Sequence, residues 1–235
     1  EAFLQGHEVA HLRVLCREAP RDPRLGNAAP WPGHGGHVVA VDDHLDLRNC
    51  HVVDGLATAT ARQLLVASRP VSWVNTAYPF AAAYLLTTRE IDAVLIVGTL
   101  FFLVPYNLAM YGINDVFDYE SDLRNPRKGG AHGAVLDRRF HRITLWAAGL
   151  SCAPFVAFLL AAGSPASWLV LAASLFFVVF YSAPPLRLKE RPVADSVTSS
   201  IHFFSPAVYG LVLAGATWTP SLVLLLVAFG LWGVA

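Results

Sequence analysis

Ala93-Val-Leu-Ile-Val-Gly-Thr-Leu-Phe-Phe-Leu-Val-Pro-Tyr-Asn-Leu-Ala-Met-Tyr-Gly-Ile-Asn114 is a run without a charged side chain, and Asp115 follows it directly. A helix needs about 20 mostly apolar residues to cross a bilayer. Uncharged runs also occupy 70–88, 143–186 and 196–235. Charged residues make up 14% of the chain and hydrophobic ones 55%, against about 25% charged in a soluble domain. In hydrocarbon the backbone must satisfy its own hydrogen bonds, so these runs are expected to be helices. The sequence therefore predicts an all-α, multi-span transmembrane bundle, with spans near 71–88, 92–112, 143–162, 165–182, 197–215 and 219–235. Gly163-Ser-Pro165 and the 217–220 stretch are tight breaks that suggest antiparallel neighbours.

The chain is expected to have two parts. Residues 1–60 hold six of the nine histidines and much Arg and Asp, with no lasting helical or strand period. They read as a poorly ordered polar extension, and residues 61–235 as the membrane domain. His34, His37, Asp42, Asp43 and His44 fit no defined metal-site spacing. Ala57–Ala67 has the pattern of a short amphipathic helix at the membrane surface. The formal net charge is zero, which gives no footprint for nucleic acid. Cys16, Cys50 and Cys152 show no metal-like spacing and imply no disulfide framework. The chain starts at Glu1, its one methionine is Met110, and it stops inside an apolar run. It is expected to be part of a longer protein.

Lys and Arg give the orientation. Arg124, Arg127, Lys128, Arg138, Arg139 and Arg142 follow the second expected span, and Arg187, Lys189 and Arg191 follow the fourth. The opposing loops hold Arg89 alone. The positive-inside rule turns the basic loops toward the cytoplasm, most simply at a bacterial plasma membrane.

Those two loops carry the chemistry. Asn114, Asp115, Asp118 and Asp122 leave the second span together. If the helix continues, Asp115, Asp118 and Asp122 share a face, while Glu120 points elsewhere, into solvent. Carboxylates crowded beside lipid are costly unless a cation meets them. Hard oxygen donors at loose spacing suit Mg²⁺, which keeps waters and shares phosphate oxygens. The bland reading is an acidic helix end in water, paired with Arg124 and Arg127. The second loop runs Tyr181-Ser-Ala-Pro-Pro-Leu-Arg-Leu-Lys-Glu-Arg-Pro-Val-Ala-Asp195. Pro184 and Pro185 stop the helix. Arg187 and Lys189, spaced as in an extended strand, can point together at a diphosphate, and Asp195 can hold a second Mg²⁺. Arg127 and Lys128 precede Gly129-Gly130 and are further phosphate ligand candidates. Asn75 and His202 are polar groups inside expected spans, each a cavity-lining residue or an interhelical hydrogen bond.

Asn114-Asp-x-x-Asp118-x-x-x-Asp122 after the second span, with Tyr-Ser-x-Pro-Pro-x-Arg-x-Lys after the fourth, resembles the UbiA superfamily of intramembrane prenyltransferases. The resemblance covers roughly residues 69–235. It implies a nine-span fold, of which these six spans would be the first. It assigns Mg²⁺-mediated diphosphate binding to Asn114, Asp115, Asp118 and Asp122. The family's second motif is often Asp-x-x-x-Asp. Asp195 matches its first position and Ser199 stands at the second, so a hydroxyl or Glu190 would have to complete that site. The wording of 112–130 and of 189–200 is most similar to the lycopene elongases, which add C5 units from dimethylallyl diphosphate to lycopene on the way to C50 carotenoids.

The expected reaction is transfer of a prenyl group from an allylic diphosphate to a lipophilic acceptor. Tyr111, Phe117, Tyr181 and Phe203 are candidates to face the allylic cation. An aromatic or quinone-precursor acceptor is the alternative within the class. A cation transporter using the aspartates is the alternative outside it.

Overall fold

The computed structural model describes residues 52–125 and 135–234. The chain divides into two units, Glu1–Ala61 and Arg62–Ala235. The expected polar extension and its histidines lie outside the described residues up to residue 51, and so do Arg127 and Lys128. The described residues are helical with short turns and contain no strand. Eight helices matter: α1 Val52–Ala67, α2 Trp73–Thr88, α3 Ala93–Leu103, α4 Pro105–Phe117, α5 His141–Ala162, α6 Pro165–Ser182, α7 Pro192–Leu213 and α8 Pro220–Val234. α1 includes the expected 57–67 helix and starts five residues earlier.

Four stretches are long and apolar enough to span a membrane: Ala93–Phe117, Arg138–Ala162, Pro165–Ser182 and Pro192–Leu213. The other two expected spans are helices of 16 residues (α2) and 15 residues (α8), shorter than the roughly 20 of a straight crossing. α2 packs on α3 and α7, α4 on α5 and α6, and α7 also on α6 and α8. Phe80, Phe101, Phe102, Tyr106 and Tyr209 are buried where α2, α3, α4 and α7 meet, with Phe101–Phe102 and Phe102–Tyr106 ring centroids 4.9 and 5.0 Å apart. Gly210 permits the α7–α2 crossing, since a Cβ there would stand 2.9 Å from the Phe80 carbonyl oxygen. Small residues at helix crossings serve this purpose in membranes.

The second expected span is bent, which the sequence reading missed. α3 ends at Leu103 and Pro105 begins α4. Proline has no N–H to donate, so a carbonyl one turn back loses its helical partner. Side chains bond the next two carbonyls at the end of α3. Asn107 Nδ2 donates to the carbonyls of Phe102 (2.8 Å) and Leu103 (3.1 Å), and Thr76 Oγ1 donates to Phe102 from α2 at 2.7 Å. Asn107 also reaches Thr76 Oγ1 at 2.7 Å, and both residues are fully buried. Asp92 caps the start of α3 by accepting from the Leu95 N–H at 2.8 Å, and that bond holds its carboxyl below the ordinary value. Its other oxygen accepts from the Tyr84 hydroxyl.

Replacing Asn107 with leucine should strand the Leu103 carbonyl and leave that of Phe102 to Thr76 alone. An unmet buried group costs about 1–3 kcal/mol. Thermal unfolding of Asn107→Leu in detergent should begin several degrees lower than wild type, and an unchanged midpoint would contradict the bridging role.

Candidate active site

α4 delivers the acidic motif and the turn after α6 delivers the basic one. α4 stops at Phe117, and Tyr119–Asp122 forms one more helical turn. The bonds Asp118 N–H to Asn114 O (2.9 Å) and Asp122 N–H to Asp118 O (2.8 Å) carry the helical spacing through the join. Asn114, Asp118 and Asp122 therefore rise one turn apart along one edge. Glu120 is exposed and pairs with Arg138, as its separate face led one to expect.

The basic loop is not the extended strand read from its spacing. Arg187 has a left-handed backbone (φ 40°) and Leu188–Glu190 is a 3₁₀ turn. The tight turn still brings both basic groups to one place. Asp118, Ser121, Tyr181, Arg187, Lys189, Glu190 and Asp195 line a single cleft of about 350 Å³. Lys189 Nζ pairs with Asp118. Arg187 Nε donates to Glu190 Oε1 at 2.6 Å, and the Tyr181 hydroxyl donates to Asp195 Oδ1 at 2.8 Å. Burial holds the Lys189 ammonium below the usual lysine value, while the charges of Glu190, Asp195 and Asp115 oppose that shift. A larger apolar groove of about 530 Å³ between α2 and α3 shares no residue with this cleft.

The remaining sequence candidates sit around the cleft. Asn114 Oδ1 accepts from Ser182 Oγ at 2.7 Å, which joins the acidic helix to the last residue of α6. Asp122 is buried beside it. Asp115 is 2% exposed and meets Arg69 Nη2 at 3.0 Å. The Arg69 guanidinium also covers the Tyr111 ring, 4.2 Å from its centroid. Asp115 thus has an arginine where its neighbour Asp118 has the cleft. Asn75 is on the exposed face of α2 and Phe117 is exposed, neither lining the cleft. Of the four aromatic candidates, Tyr181 alone is a lining residue. Ser182, Ser121 and Arg69 were not read as site residues. Ser182 stands in the quoted motif, but nothing in the sequence says that it faces Asn114. Arg69 is separated from Asp115 by 46 positions, and only its place at the end of an uncharged run marks it.

The cleft's donors fit Mg²⁺ and no self-contained protein cage. Among the described residues, no three His, Cys, Asp or Glu side chains gather as a metal site. Asp118 and Asp195 supply hard oxygens at the cleft wall, with the Asn114 amide and Asp122 one turn to either side of Asp118. Mg²⁺ is typically held by one or two carboxylates, with waters and substrate phosphates completing the shell.

Comparison with known proteins gives the family and the fold. The model of the UbiA prenyltransferase family matches residues 76–235. A C(50) beta-cyclic carotenoids biosynthesis protein, LbtBC, of Dietzia sp. (strain CQ4) is 52% identical over 215 residues, covering 92% of this chain and 47% of that protein. A lycopene elongase/hydratase of Corynebacterium glutamicum is 54% identical over 174 residues, or 74% of this chain and 61% of the relative. The chain thus spans about half to three fifths of the length of these relatives. A UbiA homolog from Archaeoglobus fulgidus, solved bound to DMAPP and Mg²⁺, superimposes with a TM-score of 0.57 at 22% identity, over 73% of this chain and 60% of that one. The same homolog bound to GPP and Mg²⁺ gives 0.57 at 23% identity, over the same shares. The fold, the bipartite acidic and basic cleft and the matched length together place the chain in the UbiA prenyltransferase family.

Proposed function

We propose that the protein transfers a dimethylallyl group from its diphosphate to an end of lycopene, in the formation of C50 carotenoids. One observation carries the reading: Asp118, Asp195, Arg187, Lys189 and Tyr181 line one cleft at the mouth of an apolar bundle. Carboxylates for a divalent cation and bases for phosphate oxygens are what an allylic diphosphate needs. The acceptor reading is supported by relatives above 50% identity whose names state lycopene elongation and C50 carotenoid synthesis.

Asn114, Asp118, Asp122 and Asp195 would hold Mg²⁺, which would supply Lewis-acid stabilisation of the charge growing on the departing diphosphate. Ser182 keeps the Asn114 amide turned toward the loop. Lys189 and Arg187, each held by a carboxylate, exchange it for phosphate oxygens, and both are charged donors suited to that role. Arg127 and Lys128 add to the phosphate contacts. Tyr181, with its hydroxyl fixed on Asp195, offers a ring to the allylic cation. The apolar bundle excludes water that would otherwise capture the cation. The acceptor's terminal double bond attacks from the lipid side. The basic loops, and so the cleft, face the cytoplasm.

Asp118→Ala should lower prenyl transfer by about 100-fold or more without removing the protein from the membrane. Transfer would be measured in membrane fractions with labelled dimethylallyl diphosphate, and normal turnover would reject the assignment. Mass spectrometry of products formed from lycopene, or from an aromatic acid, separates the two acceptor classes. The Arg69–Asp115 pair gives a stability test. Removing one partner of a buried ion pair costs about 3–5 kcal/mol, reduced here because Arg69 is partly exposed. Arg69→Met should lower the unfolding midpoint, and Asp115→Asn in the same chain should recover much of the loss. Additive losses would refute the pairing.

A further inference from the structure

α7 carries a polar stripe into the membrane. Asp195, Thr198, His202, Ser205 and Tyr209 recur at alternating steps of three and four, which puts them on one helix face. Asp195 is at the cleft, and Thr198, His202, Ser205 and Tyr209 are all buried. His202 lies one ring below the cleft wall: its imidazole meets the Tyr181 ring edge-to-face, with centroids 5.1 Å apart. The Tyr106 hydroxyl reaches the His202 backbone carbonyl at 3.5 Å.

Several buried polar side chains in this bundle are tied to backbone carbonyls. Asn107 binds those of Phe102 and Leu103, Ser174 that of Val170, and Ser200 that of Gly230 on α8 at 2.6 Å. His202 is bonded on one side alone. Its side chain is 3% exposed, its ring hydrogen-bonds the Phe177 backbone, and among the described residues its Nε2 meets no hydrogen-bond partner. The Tyr209 hydroxyl two turns deeper is likewise unbonded. An unmet polar atom in such a place costs about 1–3 kcal/mol, and intramembrane imidazoles usually mark function. A purely packing role would be served better by an apolar side chain of the same size.

We infer that His202 is a catalytic residue that ends the reaction, its Nε2 receiving the proton that the prenylated acceptor must lose. This rests on the proposed prenyl transfer and adds a step to it. Attack by the acceptor's C=C pair on the allylic carbon forms the new C–C bond and leaves a tertiary cation on the acceptor. That cation is discharged in one of two ways. The electrons of a neighbouring C–H bond form a new C=C and the proton passes to the Nε2 lone pair. Otherwise a water oxygen forms a C–O bond and the proton of that water passes to Nε2. The proton then goes to the departing diphosphate, so charge and atoms balance and the imidazole returns to neutral. The two outcomes correspond to plain elongation and to elongation with hydration. The position suits the task, because the diphosphate binds in the cleft above and a hydrophobic acceptor must lie on the bundle side of Tyr181.

The test compares wild type with His202→Gln in membranes supplied with Mg²⁺, labelled dimethylallyl diphosphate and lycopene. Glutamine retains a polar donor and acceptor but takes no proton. Diphosphate released and carotenoid prenylated are measured together, because their ratio does not depend on how much enzyme is folded. We expect diphosphate release to continue while the ratio rises by about tenfold or more: a tertiary cation that keeps its proton breaks the new C–C bond again, returning the acceptor C=C and the allylic cation, and water captures the latter as dimethylallyl alcohol. An unchanged ratio would overturn the assignment at any total rate. A variant that releases no diphosphate would also overturn it, since His202 would then act before the final step. A wild type that leaves lycopene untouched would strike the acceptor reading instead, and the same ratio is then read with an aromatic acceptor, whose prenylation also ends in loss of a proton.

Discussion

Carboxylates at the mouth of an apolar bundle need a cation, and every acidic group of the motif whose partner is described meets one or is bonded by a polar hydrogen. Lys189 meets Asp118, Arg69 meets Asp115 and the Tyr181 hydroxyl meets Asp195. Without them, three negative charges would face one another in a place where water screens poorly. That constraint joins parts of the chain that are far apart: the turn before α2, the end of α4, the loop after α6 and the start of α7. It also divides the motif by environment. Asp118 looks into the cleft, where its lysine can be exchanged for another cation. Asp115 looks at an arginine stacked on Tyr111 and is bound into the scaffold.

The bundle supplies what the cleft cannot make for itself, which is a fixed distance between its two walls. α4 and α6 pack directly, and the Ser182–Asn114 hydrogen bond ties their ends. α7 packs on both α2 and α6, so Asp195 and Arg69 are positioned by the same helix contacts. The glycine at 210 is required for that because α7 approaches the backbone of α2 more closely than a side chain allows. The basic groups sit on a connection while the helices set the spacing, a division common at binding sites.

Charge absence made the membrane architecture readable from residues alone, and the Asn-Asp-x-x-Asp-x-x-x-Asp pattern made the acidic wall readable. Both signals are local. What escaped was long-range. The break at Pro105 was visible as a proline, yet its bridging by Asn107 and Thr76 depends on α2 lying alongside, 31 positions away in the chain. The shared face of Asp115, Asp118 and Asp122 followed from helical spacing, but the arginine that separates Asp115 from the others lies before α2. The strand-like spacing of Arg187 and Lys189 gave the correct convergence for the wrong reason, since a left-handed residue and a 3₁₀ turn produce it.

Two buried polar residues show how environment, not residue type, assigns a role. Asn107 and His202 are both inside spans and nearly inaccessible. Asn107 gives its amide hydrogens to the last carbonyls of α3, where the helix breaks before Pro105, so its polarity is consumed by the fold. His202 keeps Nε2 unbonded, immediately beneath the ring that closes the cleft. The allylic cation formed above it must be protected from water until the carbon–carbon bond exists, and the tertiary cation that bond leaves on the acceptor must then be discharged. A single neutral imidazole satisfies both requirements, because it brings no bulk solvent and no charge into the bundle, yet has a lone pair when the proton arrives. A carboxylate in its place would trap the cation as an ester or need a counter-ion of its own, which is the cost the cleft already meets with lysine and arginine.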